Sequence, residues 1–270
     1  MENINIERYK ATEIPMHKAT QLIAFLGKHL GYHQADDSHA TVVYDPKKDA
    51  LVGKLITING QIYSPELQLR NFHLALISDD KSSLFELKGQ TIPMVIKEVE
   101  RLMDIDVLPD FAIHYDLPKD YQLDQYQLEL PPRYAVIEWT QVRQMAAETL
   151  EMVNIIVSPP SPVNIWPHHF DTGTYHILTT GNEGDSAAIG CGFAVADTIV
   201  SEPYFYIYGW SKDKSIHFEA TPDLLFGEWK KGNWKGAVLP LSTVLALPDV
   251  KADLKSFFEV TVQFYKNEML

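Results

Sequence analysis

The sequence has little of what marks several large classes of protein. Cys191 is its only cysteine, so no disulfide can form within the chain, and we expect a cytoplasmic protein. No stretch approaches the roughly 20 consecutive apolar residues of a transmembrane helix, so we expect no membrane partner. The N-terminal residues lack the positive region and apolar run of a secretory signal, which also favours a cytoplasmic protein.

Basic residues are scarce as well. The chain has 23 Lys and Arg against 36 Asp and Glu, which gives a formal net charge of −13. Nucleic-acid binding depends on clustered Lys and Arg that release counterions from phosphates, so we expect no nucleic-acid partner. The chain also has no Walker loop, no dinucleotide-binding glycine fingerprint and no nucleophile elbow. The common signatures of nucleotide and redox cofactors are therefore missing.

Hydrophobic residues make up 46% of the 270 positions, enough for a sizeable core, and their patterns follow one order twice. In the first half, apolar residues at helical spacing follow Pro15, which fits the first turn of a helix. Strand-like runs come next, with the hairpin signal Asn59-Gly60, and a second helix starts at Pro93. This half therefore predicts a helix, antiparallel strands and a helix.

The second half repeats this order. A helix is predicted within 140–157, strand-like runs with a turn at 181–185 ("GNEGD") follow it, and a final helix comes after Pro248. Between the halves, the segment 118–134 contains prolines and has no amphipathic period, which predicts an extended connector.

We predict an α+β fold in which an antiparallel sheet packs with about four helices. The predicted halves are 1–117 and 135–270, on either side of the connector 118–134, as separate units or as one compact domain. An internal duplication would relate them by a pseudo-twofold axis. Because helix, sheet, helix is a common layout, coincidence is the alternative explanation.

The segment "NIWPHHFDTGTYHI" at 164–177 contains two adjacent histidines and then an aspartate. On an extended strand successive side chains point to opposite faces, so His169 and Asp171 would share the face opposite His168. Asp171 could then fix the tautomer of His169, or both could bind one metal ion. The alternative is a packed strand entry whose histidines bond backbone carbonyls.

A matching pair lies in the first half, where "ADDSHA" places Asp37 two residues before His39. If the two segments converge, Asp37, His39, His169 and Asp171 form one cluster. Two imidazoles and two carboxylates suit zinc, iron or manganese, and they suit metal-free acid–base chemistry equally well. In the alternative interpretation the aspartates are solvated turn residues.

The segment "VSEPYFYIYGW" places three tyrosines in phase on one strand face. Tyr204, Tyr206 and Tyr208 could line a small-molecule pocket, with Glu202 at the edge as an acid, a base or a further ligand. The same tyrosines would serve a sheet core packed on helices, and Glu202 could be an exposed turn residue.

Other candidates are weaker. Cys191 lies in an apolar strand, where burial would raise the pKa of the thiol and keep it inactive as a nucleophile. His73 and His114 are isolated on strand-like runs, and we interpret both as structural residues.

Five segments together resemble an uncharacterised bacterial family: "ADDSHATVVYD", "ELQLRNFHLAL", "NIWPHHFDTG", "IGCGFAVADTIVSEPYFYIYGW" and "WKGAVLP". The resemblance spans most of the chain, and "WPHHFD" is its most specific part. The chain departs from the family pattern after Trp210, where other members have a proline. The resemblance implies no activity, but it directs attention to the matching positions Asp36, Asp37, Ser38, His39, Trp166, His168, His169, Asp171, Glu202 and Tyr204.

The leading hypothesis is a protein that binds a small molecule in a cleft between the halves, as a hydrolase or group-transfer enzyme. His39, His169, Asp171 and Glu202 would carry acid–base chemistry, with Asp37, His39, His169 and Asp171 as the ligands if zinc is bound. The predicted ligand-binding residues are Trp166, His168, Tyr204 and Tyr206. The competing hypothesis is a non-catalytic binding or assembly module whose histidines are structural.

Overall fold

The predicted α+β class is confirmed by the structure, a computed structural model that describes residues 4–106, 108–118, 121–181 and 184–270. These ranges contain five α-helices, and the paired strands are antiparallel. No helix in them is long and apolar enough to cross a bilayer. Contacts divide the chain into two compact units. The N-terminal unit holds Glu7–Gln141 and Ile165–Phe170, and the C-terminal unit holds Val142–Asn164, Asp171–Leu270 and the described residues up to Ile6.

The N-terminal unit has the predicted order of helix, strands, helix. Its elements are α1 (Ile6–Leu30), a 3-10 turn (Ser38–Ala40), β1 (Val42–Asp45), β2 (Ala50–Gly53), β3 (Ile56–Ile58), β4 (Gln61–Gln68), β5 (His73–Ile77), β6 (Ser82–Glu86) and α2 (Ile92–Met103). The strands pair in the order β1-β2-β4-β5-β6, with β3 on β4. The hairpin prediction is confirmed, since Asn59 (φ 50°) and Gly60 (φ 79°) both have the positive φ of a type I′ turn.

The start of α1 differs from the prediction. The helix begins at Ile6, so Pro15 lies in its interior and not in its first turn. Buried residues on both sides of the proline, including Tyr9 and Met16, continue one stripe. Arg8 also forms an ion pair with Glu138. Packing along this whole length offsets the backbone hydrogen bond that an interior proline removes.

The C-terminal unit also follows the predicted order. Helix α3 (Arg133–Ile156) enters it at Val142. The two residues of β7 (Asn164–Ile165) belong one to each unit. The elements that follow in the C-terminal unit are β8 (Thr172–Gly181), β9 (Gly184–Ala194), β10 (Tyr204–Ser211), a 3-10 turn (Phe218–Ala220), β11 (Glu228–Lys231), β12 (Lys235–Pro240), α4 (Leu241–Leu245) and α5 (Val250–Met269). The strands pair in the order β8-β9-β10-β12-β11.

Two predicted segments fall partly outside the described residues. In the connector, residues 118 and 121–132 contain neither helix nor strand, whereas Lys119 and Asp120 are not described. In the turn at 181–185, Asn182 and Glu183 are not described. The division into halves and the pseudo-twofold relation stay predictions.

The glycines of β9 make room for the tyrosines of β10. Tyr206 pairs with Gly192 and Tyr208 with Gly190 in the antiparallel register. A Cβ at Gly192 would lie 2.5 Å from the ring of Tyr206, and one at Gly190 would overlap the ring of Tyr208. Each tyrosine ring therefore lies across the neighbouring strand, where only glycine leaves enough space.

We expect Gly190→Ala to lower the free energy of unfolding by about 1–3 kcal/mol, because the added methyl group overpacks the Tyr208 ring. Urea unfolding followed by circular dichroism measures this loss. Gly232→Ala is the matched control, since no atom lies within 4 Å of its Cβ position. Equal stability of the two variants would contradict the assignment of Gly190 as a ring-packing position.

Candidate functional site

The "WPHHF" segment is a tight turn, so the condition that "PHHFDTG" at 167–173 is extended is met only at Thr172 and Gly173. The carbonyl of Trp166 accepts the N–H of Phe170 at 2.7 Å, and Phe170 has φ 59°. Strand β8 begins only at Thr172. Side chains in a turn do not alternate between two faces, so the opposite orientation inferred for the two histidines does not follow here. The turn buries Phe170 completely.

Helix α1 holds this turn through one carbonyl and one ring. The Pro167 carbonyl accepts from Nε2 of His17 (2.7 Å) and from Nε2 of Gln21 (2.8 Å). The Phe170 ring stacks on the His17 ring with centroids 4.7 Å apart, and Trp139 stacks on Phe170 at 5.9 Å. With Pro167 and Phe170 buried, His169 is left exposed at the tip of the turn.

The "DDSH" segment packs against the same helix, further along. A Cβ at Gly27 of α1 would overlap the carbonyl oxygen of His39, so this glycine lets the 3-10 turn lie directly on the helix. His39 is 2% exposed, and its Nδ1 accepts the N–H of Gln34 at 3.2 Å. The proton of the neutral ring is therefore on Nε2, which lies 3.8 Å from an Asp37 oxygen.

Burial lowers the pKa of His39, and the positive charge of Lys28 lowers it further, against the raising effect of Asp37. His39 is consequently a neutral residue at pH 7. One ring nitrogen is bonded to backbone, whereas the other lies 3.8 Å from the Asp37 carboxylate, too far for a hydrogen bond. The predicted role of His39 as an acid or base gains no support from this arrangement.

Asp37 is the centre of a polar cluster. Its Oδ1 accepts from Nζ of Lys28 at 2.6 Å, and its Oδ2 contacts Nε2 of His114 at 3.2 Å. The hydrogen bond from Lys28 is the main cause that lowers the pKa of Asp37, so the carboxylate is ionised at neutral pH. We call Lys28, Asp37, His39 and His114 the Asp37 cluster.

His114 completes the cluster, although its place in an apolar run of the sequence predicted a structural role. It lies in the irregular segment 111–118 and not on a strand. The neighbouring Tyr115 hydroxyl donates to Oε1 of Gln21 at 2.6 Å, which holds this segment on α1. Because an ionised carboxylate can only accept, Nε2 of His114 carries a proton and donates it to Asp37. Apolar residues alternate from 111 to 117 as they do in a strand, so periodicity gave no signal that this segment is irregular.

A small crevice adjoins the Asp37 cluster. Its volume is about 10 Å³, which is room for about one water molecule. Polar side chains of Gln21, Lys28, His114 and Tyr115 line it, together with apolar residues of α1 and of the segment 111–118. Burial raises the pKa of Tyr115 well above its usual range, so its hydroxyl stays protonated. The crevice thus lies beside the His114 ring, within a lining whose Gln21 amide and Tyr115 hydroxyl are bonded to each other.

The turn and the cluster are linked by Gln21. Its amide donates to Pro167 and accepts from Tyr115, and the Tyr115 ring lies 6.0 Å from the ring of His168. The rings of His168 and His169 are 4.8 Å apart, and Trp166 lies 5.9 Å from His168.

The structure distributes the predicted site residues between the units. Asp37, His39, Trp166, His168 and His169 belong to the N-terminal unit. Asp171, Glu202, Tyr204 and Tyr206 belong to the C-terminal unit. Within the described ranges, no group of three or more His, Cys, Asp or Glu side chains is arranged to hold a metal ion. The zinc site stays a prediction without geometric support.

The predicted residues of the C-terminal unit are held by hydroxyl groups. Asp171 accepts the Tyr206 hydroxyl at 2.5 Å, and Glu202 accepts the Ser242 hydroxyl at 2.5 Å. Tyr204 is only 2% exposed, which makes it a core residue. Burial, and next the charge of Asp171, raise the pKa of Tyr206 well above its usual range.

Two further features of this unit give no support for a catalytic site. Burial raises the pKa of the Cys191 thiol well above its usual range, as expected for an unreactive strand residue. A groove of about 730 Å³ runs along the outer face of α5, lined by Glu259, Gln263, Lys266 and neighbouring residues. It contains none of the predicted site residues.

No protein-family model, no curated protein and no solved structure matches this chain, so its function must be inferred from its own residues.

We expect Asp171→Ala to lower the free energy of unfolding by about 1 kcal/mol or more, because the Tyr206 hydroxyl loses its acceptor. His169→Ala should change stability by less than about 0.5 kcal/mol, since its side chain is exposed. Asp171→Asn is the matched control, because an amide oxygen can still accept from Tyr206. Thermal and urea unfolding compare all three variants, and an equal loss from His169→Ala would contradict these assignments.

We expect the protein to lose stability as the pH falls below about 6.5. The pKa of His39 lies below its ordinary value of 6.5 in the folded state, so the unfolded state binds the proton more readily. His39 therefore contributes stability that is complete above this pH and declines below it. His39→Asn keeps an acceptor for the N–H of Gln34 and should reduce the pH dependence measured by urea unfolding. His169→Asn is the control, and an unchanged slope in His39→Asn would refute the effect.

Proposed function

We propose that this protein binds a small molecule and acts on it by general acid–base catalysis, as a hydrolase or a group-transfer enzyme. The observation that carries the proposal is the pairing of His114 with the ionised carboxylate of Asp37. A carboxylate that orients an imidazole and stabilises its protonated form is a recurring arrangement for a general base.

Each member of the Asp37 cluster has a separate role in this mechanism. Nδ1 of His114 takes a proton from a water or substrate hydroxyl and later returns it to the leaving group. Asp37 fixes the His114 tautomer and stabilises the imidazolium. Lys28 keeps Asp37 ionised, and the buried His39 lies beside the same carboxylate oxygen that Lys28 binds.

The one-water crevice supports hydrolysis or a related transfer. It places a water-sized space beside His114, within a lining that includes the amide of Gln21 and the hydroxyl of Tyr115. A nucleophilic water needs a base and at least one further hydrogen-bonding partner to fix its direction of attack. His168, His169 and Trp166 lie beyond Tyr115 and are proposed to contact the substrate.

One observation favours the alternative, a non-catalytic binding or assembly module. Several histidines are buried and bonded to backbone groups: His17 to Pro167, His39 to Gln34 and His176 to Pro159. These three are structural in either case. The alternative therefore depends on whether His114, which is partly exposed, has a chemical role.

The first test measures turnover of p-nitrophenyl acetate and p-nitrophenyl phosphate by the wild type, His114→Asn and Asp37→Asn. Removing a general base typically costs about 10²–10⁴-fold in rate, so both variants should lose that much. His217→Asn is the matched control, because His217 lies in the C-terminal unit and pairs with Glu268. Turnover that is equal in all four proteins would contradict the proposal.

A second measurement needs no substrate. Diethyl pyrocarbonate acylates the neutral nitrogen of an imidazole, and mass spectrometry gives the rate at each histidine. We expect rapid modification of His114 in the wild type. In Asp37→Asn the modification of His114 should be slower, because the orienting carboxylate is lost. The rate at the exposed His33 should be the same in both proteins. An unchanged rate at His114 in Asp37→Asn would show that the pair does not activate the ring, and would favour the non-catalytic module.

A further inference from the structure

The C-terminal unit carries an ordered aromatic surface that the proposed function does not use. We call Tyr175, Tyr206, Tyr208 and Trp210, with Asp171 at one end, the aromatic face. Antiparallel register places Tyr175, Gly190 and Tyr208 in one cross-strand row, and Gly173, Gly192 and Tyr206 in the next. All of these positions therefore project from the same side of the sheet.

Helix α5 packs on the other side of the sheet. Phe205 and Ile207, which alternate with the tyrosines on β10, are completely buried. The ring of Phe205 packs edge to face on Phe258 of α5, with centroids 6.2 Å apart. A Cβ at Gly209 would lie 2.5 Å from the Tyr265 ring. The aromatic face, in contrast, keeps exposure: Tyr175 is 36% exposed and Tyr206, Tyr208 and Trp210 are half-buried.

The tyrosine rings lie flat on the sheet. Tyr206 crosses Gly192, and its hydroxyl reaches a point 3.3 Å from the Cβ position of Gly173 on β8. The rings of Tyr206 and Tyr208 are nearly parallel, with an interplanar angle of 19° and centroids 6.2 Å apart. Each ring thus turns one π surface to the glycine floor and the other outward.

Hydrogen bonds hold the aromatic face in this arrangement. The Tyr206 hydroxyl donates to Asp171 at 2.5 Å, and Nε1 of Trp210 donates to the Tyr175 hydroxyl at 2.9 Å. These bonds fix three of the four rings, and the fourth, Tyr208, is held by its packing on β9. A ligand on this face would meet π surfaces and a carboxylate, held in a fixed geometry.

The negative charge near the aromatic face favours a positively charged ligand. Asp171 raises the pKa of Tyr206 and Tyr208 by its negative charge, and Asp185 does the same to Tyr175, in each case in addition to burial. The π surfaces of aromatic rings are themselves electronegative and attract cations. A phenol that donates to a carboxylate is more electron-rich still.

We propose that the aromatic face binds a small, free organic cation of the alkylammonium class. A cation about 4 Å above the midpoint of the Tyr206 and Tyr208 rings would lie about 5 Å from both centroids, within the roughly 6 Å reach of cation–π attraction. Asp171 supplies the compensating charge. This site is independent of the Asp37 cluster, so the two proposals succeed or fail separately.

The test compares choline with its neutral isostere 3,3-dimethylbutan-1-ol by isothermal titration calorimetry at constant ionic strength. We expect choline to bind at least about 10-fold more tightly, because only choline gains cation–π and carboxylate attraction. Equal affinity would overturn the proposal and leave a merely apolar surface. Absence of choline binding would overturn it as well.

Variants locate the site. Tyr208→Leu should weaken choline binding about 3- to 30-fold, whereas Tyr208→Phe keeps the π surface and should retain it. Asp171→Asn keeps an acceptor for Tyr206 but removes the charge, so it should also weaken binding. Tyr134→Leu, at an exposed tyrosine of the N-terminal unit, is the control. Unchanged affinity in Tyr208→Leu, checked for folding by circular dichroism, would refute the assignment.

A vesicle experiment distinguishes a free cation from a lipid headgroup. Phosphatidylcholine presents the same trimethylammonium group on a membrane surface. If the ligand is a free cation, the protein should not co-sediment with phosphatidylcholine vesicles. Co-sedimentation that Tyr208→Leu abolishes would overturn the proposal in favour of a membrane surface.

Discussion

The buried side chain of Gln21 is the connection on which the candidate site depends. Its amide donates to the carbonyl of Pro167 and accepts the hydroxyl of Tyr115. These partners belong to two irregular segments that have no sheet register to position them. A buried amide left without partners would cost about 1–3 kcal/mol, so the pairing orders both segments on α1 together. The position of the turn and that of His114 follow from the same residue.

Burial separates the histidines by function. Where an imidazole is enclosed and bonded to backbone, as for His39, burial lowers its pKa and favours the neutral ring, whose role is to hold a loop. Where the ring is partly exposed and bonded to a carboxylate, as for His114, one nitrogen remains available to a ligand. The same residue type thus serves packing and proposed chemistry within one unit.

In the C-terminal unit, the packing of large aromatic rings depends on glycines in the neighbouring strand. Large rings on β10 need space on one side of the sheet, and the glycines of β9 provide it in the same register. The result is a flat arrangement that needs no covering helix to hold its rings, because hydrogen bonds at their edges fix the orientation. This is why the unit can keep aromatic surface exposed without losing order.

Hydrophobic periodicity was enough to predict the α+β class, the order of helices and strands, and the Asn59-Gly60 hairpin, because each of these depends on neighbours along the chain. The start of α1 was predicted too late, since packing on both sides of Pro15 outweighs a local preference. The local character of the "WPHHF" segment was also misjudged, because the positive φ of Phe170 is imposed by rings stacked from α1 and α3.

The residue types that could carry chemistry are visible in the sequence, which marked the segments of Asp37 and His168 as places to look. Tertiary structure decided which of them pair. His114 is 77 residues from Asp37 in the chain, and no periodic pattern joins them. Their hydrogen bond exists because α1 presents Lys28 to one oxygen of the carboxylate and, through Gln21 and Tyr115, holds His114 at the other.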